Sequence, residues 1–425
     1  MALKAIYRTT QSLIGTTIVS VTVGVRQGSP TSSLLFVIFV NDLISLFKDR
    51  CGLDGFLTWF HLLVFMDDTV ILSTSRTGIL TKLGLLKEFC NSHGMKVNVS
   101  KTKFMVINGK EEDKSDLIVQ DMCIKICNHY VYLGSPFSAD GLTSSAIKLS
   151  ANMKMGQVLK FVSFCQKNVP FNVKKKVFNV AVMSSILYGC ESWLNGNIKP
   201  MEKLYNMCIK HLLGVRKNTT TNLCLVELGL PPLKALIKQK QKIFFSSMQD
   251  DRRNMLDDPF WYAFHLTTST NTTTSRYIKE IITHQEDYIN QAMNQLYDEI
   301  NRSQSSRYAY YREINPYYHV HNIYTTHTNV NELKRISWTR LRVSAHNLAV
   351  ETGRWNRRGR GRLLIEESLC PCGQVQTERH VVEECALSHE LRTKYNVVTI
   401  RGLVSECENY KEVCECAHEM LKIYK

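Results

Sequence analysis

Residues 60–72 read FHLLVFMDDTVIL, two short apolar runs, Phe60–Phe65 and Val70–Leu72, flanking Asp67-Asp68. Runs of this length around a polar pair read as a β-hairpin, which puts the two acids at its tip. Adjacent acids at a turn are ordinarily solvated turn residues. Their other use is chemical. Nucleotidyl transfer needs two divalent ions about 4 Å apart, held by carboxylates, to stabilise the attacking and the leaving oxygen. Hydrated Mg²⁺ typically accepts one or two carboxylates and leaves room for phosphate, so Asp67 and Asp68 are candidate ligands.

Upstream, residues 24–30 read GVRQGSP and lead into an apolar-rich stretch from Ser32 to Phe47. Ser29 can cap a helix, and Pro30 is tolerated at the first helical position, so a buried helix is expected there. Gly28 at its entrance lets backbone N–H groups come close to a phosphate or base. Downstream, Thr77–Ser92 reads as a helix stopped by Gly94. Short strands are expected within Met95–Ile107 and Leu117–Leu133. Asn98-Val99-Ser100-Lys101-Thr102-Lys103 opens the first of these, where Lys101 can neutralise or protonate a leaving pyrophosphate. A glycine before a helix is usually only a turn, and an Asn–Lys pair on a strand is usually only surface.

The chain has 425 residues, 44% of them hydrophobic, with Gly 21 and Pro 9, which excludes a collagen-like or wholly disordered protein. Its net charge is +15 and unevenly spread: 142–249 holds 16 Lys/Arg against Glu191, Glu202 and Glu227. Between Lys334 and Arg362 nine basic residues face Glu351 alone. One-signed runs repel themselves and are more easily explained by a phosphate-bearing partner than by a solvated face. No apolar run approaches the roughly 18 residues of a membrane span, so no membrane partner is expected. The N-terminus lacks a secretion signal, which makes the chain intracellular, with the nucleus as one open location. Fourteen cysteines then read as buried thiols plus a metal site.

From Thr143 to Met248 the pattern is helical, broken at Pro170, Gly189, Gly214 and Pro231-Pro232, and Thr267–Ser275 reads as a polar linker. Near the C-terminus, Cys370, Cys372, His380 and Cys385 form Cys-x-Cys-x7-His-x4-Cys. Three thiolates and an imidazole suit tetrahedral Zn²⁺, although the first spacing is shorter than usual. Cys407, Cys414, Cys416 and His418 are a rival set without a known spacing. The preceding RWNRRGRGR stretch offers Arg354, Trp355, Arg357, Arg358, Arg360 and Arg362 for phosphate contacts and base stacking.

Five of these motifs, in this order, resemble the reverse transcriptase of non-long-terminal-repeat (LINE-type) retrotransposons, over roughly residues 1–250 and more loosely to the end. GVRQGSPTSSLLFVIFVNDL is similar to that family's template- and nucleotide-contacting turn and helix, FMDD to its metal hairpin, and MKVNVSKTKFMVI to the strand that follows. Residues 130–134 (YVYLG) resemble the primer-grip hairpin and 186–193 (ILYGCESW) the thumb segment. The resemblance implies template or nucleotide contacts at Arg26, Gln27, Gly28, Pro30 and Asn98. It also implies a primer grip at Tyr132, Leu133 and Gly134, and catalysis by Asp67, Asp68 and Lys101 with Mg²⁺. RNA template, DNA primer or target and deoxynucleoside triphosphates would be the partners.

The implied architecture is α+β: a partial palm over 1–141, a ferredoxin-like sheet lacking its first strand; a basic helical thumb, 142–249; a linker and helical connector, 250–330; and an Arg-rich, zinc-knuckle-like region, 331–425. The family uses a third metal-binding aspartate upstream of the glycine turn, yet no Asp or Glu occurs from Met1 to Asn41. Thr31 and Ser33 stand where the family has an apolar residue and a proline. The expectation is therefore an N-terminally truncated, catalytically impaired polymerase remnant. The alternative is a non-catalytic nucleic-acid-binding protein that uses the basic helices and the knuckle.

Overall fold

A computed structural model describes residues 11–20, 24–25, 29–52, 60–249, 259–325, 330–354, 361, 363–406 and 408–424. The chain divides into two compact units, 1–142 with 256–263, and 143–255 with 264–425.

In the first unit, β1 (Gln11–Ile14) and β2 (Thr17–Ser20) form a hairpin. Helix α1 (Pro30–Arg50) follows, then the hairpin of β3 (Leu62–Phe65) and β4 (Asp68–Ile71). Helix α2 (Arg76–Ser92) starts where the Ser75 side chain accepts a hydrogen bond from the Gly78 N–H. It ends before Gly94, whose φ of +65° suits glycine. Strands β5 (Lys103–Phe104), β6 (Leu117–Val119) and β7 (Met122–Ile126) make a three-stranded sheet in the order β5-β7-β6. Strands β8 (His129–Tyr132) and β9 (Ser135–Ser138) pair as another hairpin. Apolar residues of α1 and α2 pack together through Val40, Leu43, Phe47, Leu85 and Phe89. The other face of α2 covers β6 and β7 through Ile79, Leu83, Leu117 and Ile124.

Four expectations change here. Among the described residues the strands form four small sheets instead of one ferredoxin-like sheet. The strand expected from Met95 shrinks to two residues, because the Asn98 carbonyl accepts from the Lys101 and Thr102 N–H groups and folds 98–102 into a turn. Only Val40, Leu43 and Phe47 of α1 are buried, so it is not a buried helix. By length and composition α1 is apolar enough to cross a membrane, although Asn41 and Asp42 interrupt its apolar run; the expectation that no stretch qualifies is corrected.

The second unit is helical: α3 (Thr143–Cys165), α4 (Phe171–Val177), α5 (Lys199–Leu213), α6 (Thr221–Leu228) and α7 (Leu233–Met248) come first. Next are residues 264–269 of α8 (Pro259–Ser269), then α9 (Thr273–Thr283), α10 (Tyr288–Arg302) and α11 (Ser306–Ile314). The last are α12 (Glu332–Arg342), α13 (His389–Tyr395), α14 (Ile400–Val404) and α15 (Tyr410–Ile423). The threonine-rich stretch is not an open linker: its ends belong to α8 and α9, and the Thr272 hydroxyl caps α9 by accepting from the Ser275 N–H. One core joins the basic helices to the C-terminal ones, with Leu204, Tyr205, Ile209 and Leu213 of α5 packed in the same cluster as Trp338, Leu341, Leu403 and Cys414.

Buried charges run through that core. Glu227 on α6 accepts from Arg342 Nε at 2.6 Å, from Tyr311 Oη at 2.8 Å and from Tyr324 Oη at 2.9 Å. Lys174 Nζ donates to Glu332 at 2.8 Å, and Glu332 is also bonded to Arg335. The basic runs are therefore not wholly phosphate-facing surface. Lys174, Arg335 and Arg342 are interior, each with a carboxylate partner.

His321 sits at this junction, its ring centroid 4.7 Å from that of Trp338 and its Nδ1 accepting from the Ile323 N–H. Burial, then the Arg342 charge, lowers its pKa to about 4. The unfolded chain takes up this proton at the ordinary value near 6.5, before the folded one does. Stability should thus be level above that value and fall as pH drops from it towards 4. The thermal midpoint should decline over that window, and His321→Asn, which keeps a capping oxygen and does not titrate, should flatten the decline.

Candidate functional site

The acidic tip is built by a two-residue hairpin turn. Phe65 pairs with Asp68 across it, Met66 and Asp67 make the turn, and Met66 takes a φ of 55°. That left-handed conformation costs a non-glycine residue about 1–3 kcal/mol and clusters at functional sites. Asp67 and Asp68 are both exposed. The β8–β9 tip, Leu133-Gly134, has positive φ at both positions, 48° and 78°, as a tight hairpin requires. Burial, and then the Asp68 carboxylate, raises the Tyr132 phenol.

The remaining polymerase-like residues are less closely gathered. Asn98 and Lys101 are exposed; the Asn98 Oδ1 accepts from Ser100 Oγ at 2.7 Å and from the Lys101 N–H at 3.3 Å. Among the described residues no hydrogen bond or ion pair joins Lys101 to Asp67 or Asp68. Pro30 opens α1, but the Ser29 hydroxyl pairs with Thr31 Oγ1 at 3.0 Å and leaves the helix N–H groups uncapped by a side chain. Arg26, Gln27 and Gly28 lie outside the described residues. Among the described residues no third thiol, imidazole or carboxylate joins Asp67 and Asp68 in a metal-holding group. Two exposed carboxylates suffice for one hydrated Mg²⁺ but not for a clamp of two ions.

The Cys/His group is brought together completely. The ligand atoms of Cys370, Cys372, His380 and Cys385 all lie within 4.8 Å of one another. Cys370 and Cys372 sit on a tight turn in which the Gly373 N–H bonds to the Cys370 carbonyl, with Gly373 at φ +91°, closed by a bridge between Leu369 and Val375. His380 opens a short helical turn, and Cys385 follows it. The Sγ···Sγ separations are 3.7 Å for Cys370–Cys385 and 3.8 Å for Cys372–Cys385. Four ligands at the Zn–S length of 2.3 Å give a tetrahedral edge of about 3.8 Å. The cluster therefore fits zinc, with the His380 Nε2, 3.2 Å from Cys372 Sγ, as its nitrogen ligand.

Supporting groups that spacing does not reveal complete the centre. Glu384 lies 3.5 Å from His380 Nδ1, one helical turn away, where it can orient the ring. Arg392 Nη1 donates to the Cys385 carbonyl at 2.7 Å. Burial opposes ionisation of Cys385, but the Tyr424 hydroxyl beside it, the Leu387 N–H and the neighbouring thiols bring it down to about 7. Cys370 is pushed up to about 11, chiefly by burial. One thiolate is thus available at neutral pH to begin metal capture.

Among the described residues the rival set forms no metal-holding group. Cys414 and Cys416 are buried in the core, His418 Nδ1 lies 2.7 Å from Ser337 Oγ, and Cys407 is outside the described residues. Of the arginine-rich segment only Arg354 among the side chains assigned to nucleic acid is described; it bonds to the Val350 carbonyl, to Glu351 and to Ser306 Oγ. Trp355, Arg357, Arg358, Arg360 and Arg362 lie outside the described residues.

A family model for Reverse transcriptase (RNA-dependent DNA polymerase) matches residues 3–137, the segment that ends on the YVYLG hairpin. No curated protein matches the chain.

Proposed function

We propose that residues 3–137 derive from the catalytic unit of a LINE-type retrotransposon's RNA-directed DNA polymerase, and that the chain grips a primer–template duplex while being impaired in synthesis. One observation carries this reading: the exposed Asp67-Asp68 pair on a strained hairpin tip, with no third ligand beside it among the described residues. Asp67 and Asp68 would hold Mg²⁺, which supplies neutralisation of phosphate charge when bound. The resemblance gives Tyr132 with the Leu133-Gly134 turn the role of holding the primer, and Lys101 that of proton donor to the leaving pyrophosphate. A site with the two carboxylates Asp67 and Asp68 alone should run several orders of magnitude below one with three, each 1.36 kcal/mol being about tenfold.

Primer extension with Mg²⁺ on an RNA template checks this. The expected result is trace synthesis at most. Robust synthesis abolished by Asp67→Ala would overturn the claim of impairment.

The +13 balance of 142–249 favours a second reading, in which duplex binding outlives catalysis. Affinity for an RNA–DNA duplex should then be unchanged in an Asp67→Ala, Asp68→Ala variant and fall steeply with salt, as counterions are recaptured.

A further inference from the structure

The lobe that carries the Cys/His cluster has the opposite charge to the rest of the chain. Residues 363–425 hold seven Lys/Arg against eleven Glu, a net −4 in a chain of +15. Three thiolates on a divalent ion leave the centre itself at a net charge of about −1. Flanking it along the chain are exposed aliphatic and acidic side chains, Leu364 (66% exposed), Ile365, Leu369 (55%) and Leu387 with Glu366, Glu367 and Glu384, while the exposed Arg379 among them is paired with Glu313 and Glu383. Leu369 directly precedes Cys370, and Leu387 follows Cys385 by two positions, so both flank the cluster. Such a face repels phosphate, whether of nucleic acid or of anionic lipid. Exposed aliphatic groups rimmed by charge mark a protein contact.

The same unit presents the complement. On α3, Met155 and Leu159 (51% exposed) stand four residues apart on one helical stripe. Lys148 and Lys160 are exposed on the same helix. Both faces stay exposed within the one packed unit, so neither covers the other inside a single chain.

We infer that the aliphatic, acidic face around the Cys/His cluster docks on the basic, aliphatic face of α3 in a second copy of this chain. Leu364, Ile365, Leu369 and Leu387 would meet Met155 and Leu159, and Glu366, Glu367 and Glu384 would meet Lys148 and Lys160. Each copy carries both halves, so the contact can close reciprocally into a dimer.

Sedimentation equilibrium of the full chain over a range of concentrations tests this. The weight-average mass should rise above the monomer value with concentration, and less so at high salt. Leu364→Ser with Leu369→Ser, both surface changes, should weaken association by about tenfold or more. Glu366→Lys with Glu367→Lys should abolish it, as should Lys148→Glu with Lys160→Glu, while an equimolar mixture of these two charge-reversed chains should associate again. A monomer at every concentration, association indifferent to these changes, or a mixture that stays monomeric would overturn the inference. So would a loss of single-stranded RNA affinity, without any change in mass, in the Leu364→Ser, Leu369→Ser variant. The Leu364→Ser, Leu369→Ser arm leaves the acidic hairpin and the basic 142–249 region untouched, so its outcome and that of the polymerase reading are distinguishable.

Discussion

Glu227→Ala should destabilise the 143–425 unit by about 3–5 kcal/mol, the penalty for leaving one member of a buried ion pair alone. Glu227 is fully buried and accepts four hydrogen bonds, two from Arg342 and one each from Tyr311 and Tyr324. Burial works against its charge, but the Arg342 guanidinium prevails and holds the carboxyl below the usual range. Without the carboxylate, Arg342 keeps the Val404 carbonyl as a partner but loses its counter-charge. The two tyrosine hydroxyls also lose an acceptor, at about 1–3 kcal/mol for each one left unpaired. A Glu227→Met, Arg342→Met double variant should therefore cost less than the two single changes added together. Urea unfolding of the four chains measures the coupling directly; additive losses would show that the pair contributes nothing as a pair. Because the folded pKa is depressed, this stabilisation is present above the ordinary glutamate range and is lost as pH falls through the folded value. Acid should thus loosen the unit through Glu227 and through His321 alike.

The residues of this network show where the sequence stops being readable. Glu227 and Arg342 are 115 positions apart, and Lys174 and Glu332 are 158 apart. Nothing local distinguishes a lysine bound for the interior, Lys174, from its half-buried neighbour Lys175 and its exposed neighbour Lys176, so a basic stretch read as surface contains core. The acidic hairpin was legible because its information is local: a strand period interrupted by two polar residues survives whatever packs on it. The turn at Asn98 was not, because a short amide side chain that accepts from the Ser100 hydroxyl and the Lys101 N–H competes with the strand that the apolar pattern favours. Helix α1 was misjudged for another reason. Apolar composition says how much surface could be buried, while only neighbouring elements decide which of Leu34, Val37 and Ile38 are; these three stay exposed. At the Cys/His centre, four ligands could be read from their spacing, but Arg392 and Tyr424, which come from the chain beyond it, could not.

Stripping zinc should be the most damaging single treatment of the C-terminal lobe. Structural zinc sites in small peptides carry apparent binding free energies of about 10–16 kcal/mol near neutral pH, much of which is folding free energy. The lobe keeps some core of its own, since Val381 packs with Leu348 and Val350 while Val382 joins the larger cluster, so part of the fold should survive without metal. The turn at Cys370–Gly373 and the segment from His380 to Cys385 have less to hold them together, because their closest approach is sulfur to sulfur and sulfur to nitrogen. Purified protein should contain about one zinc per chain, and chelation should lower its thermal midpoint sharply while leaving the 1–142 unit unaffected. Cys370→Ser with Cys385→Ser should remove the metal, and unchanged zinc content in that variant would eliminate the centre. Glu384→Gln should reduce affinity by about 10- to 100-fold without abolishing binding, the usual effect of removing a carboxylate that orients a ligating histidine. Affinity should also weaken on acidification, because each thiol must give up a proton to bind; Cys385, at about 7, is the first to be ionised as pH rises, and Cys370, at about 11, gives up its proton only when the ion displaces it.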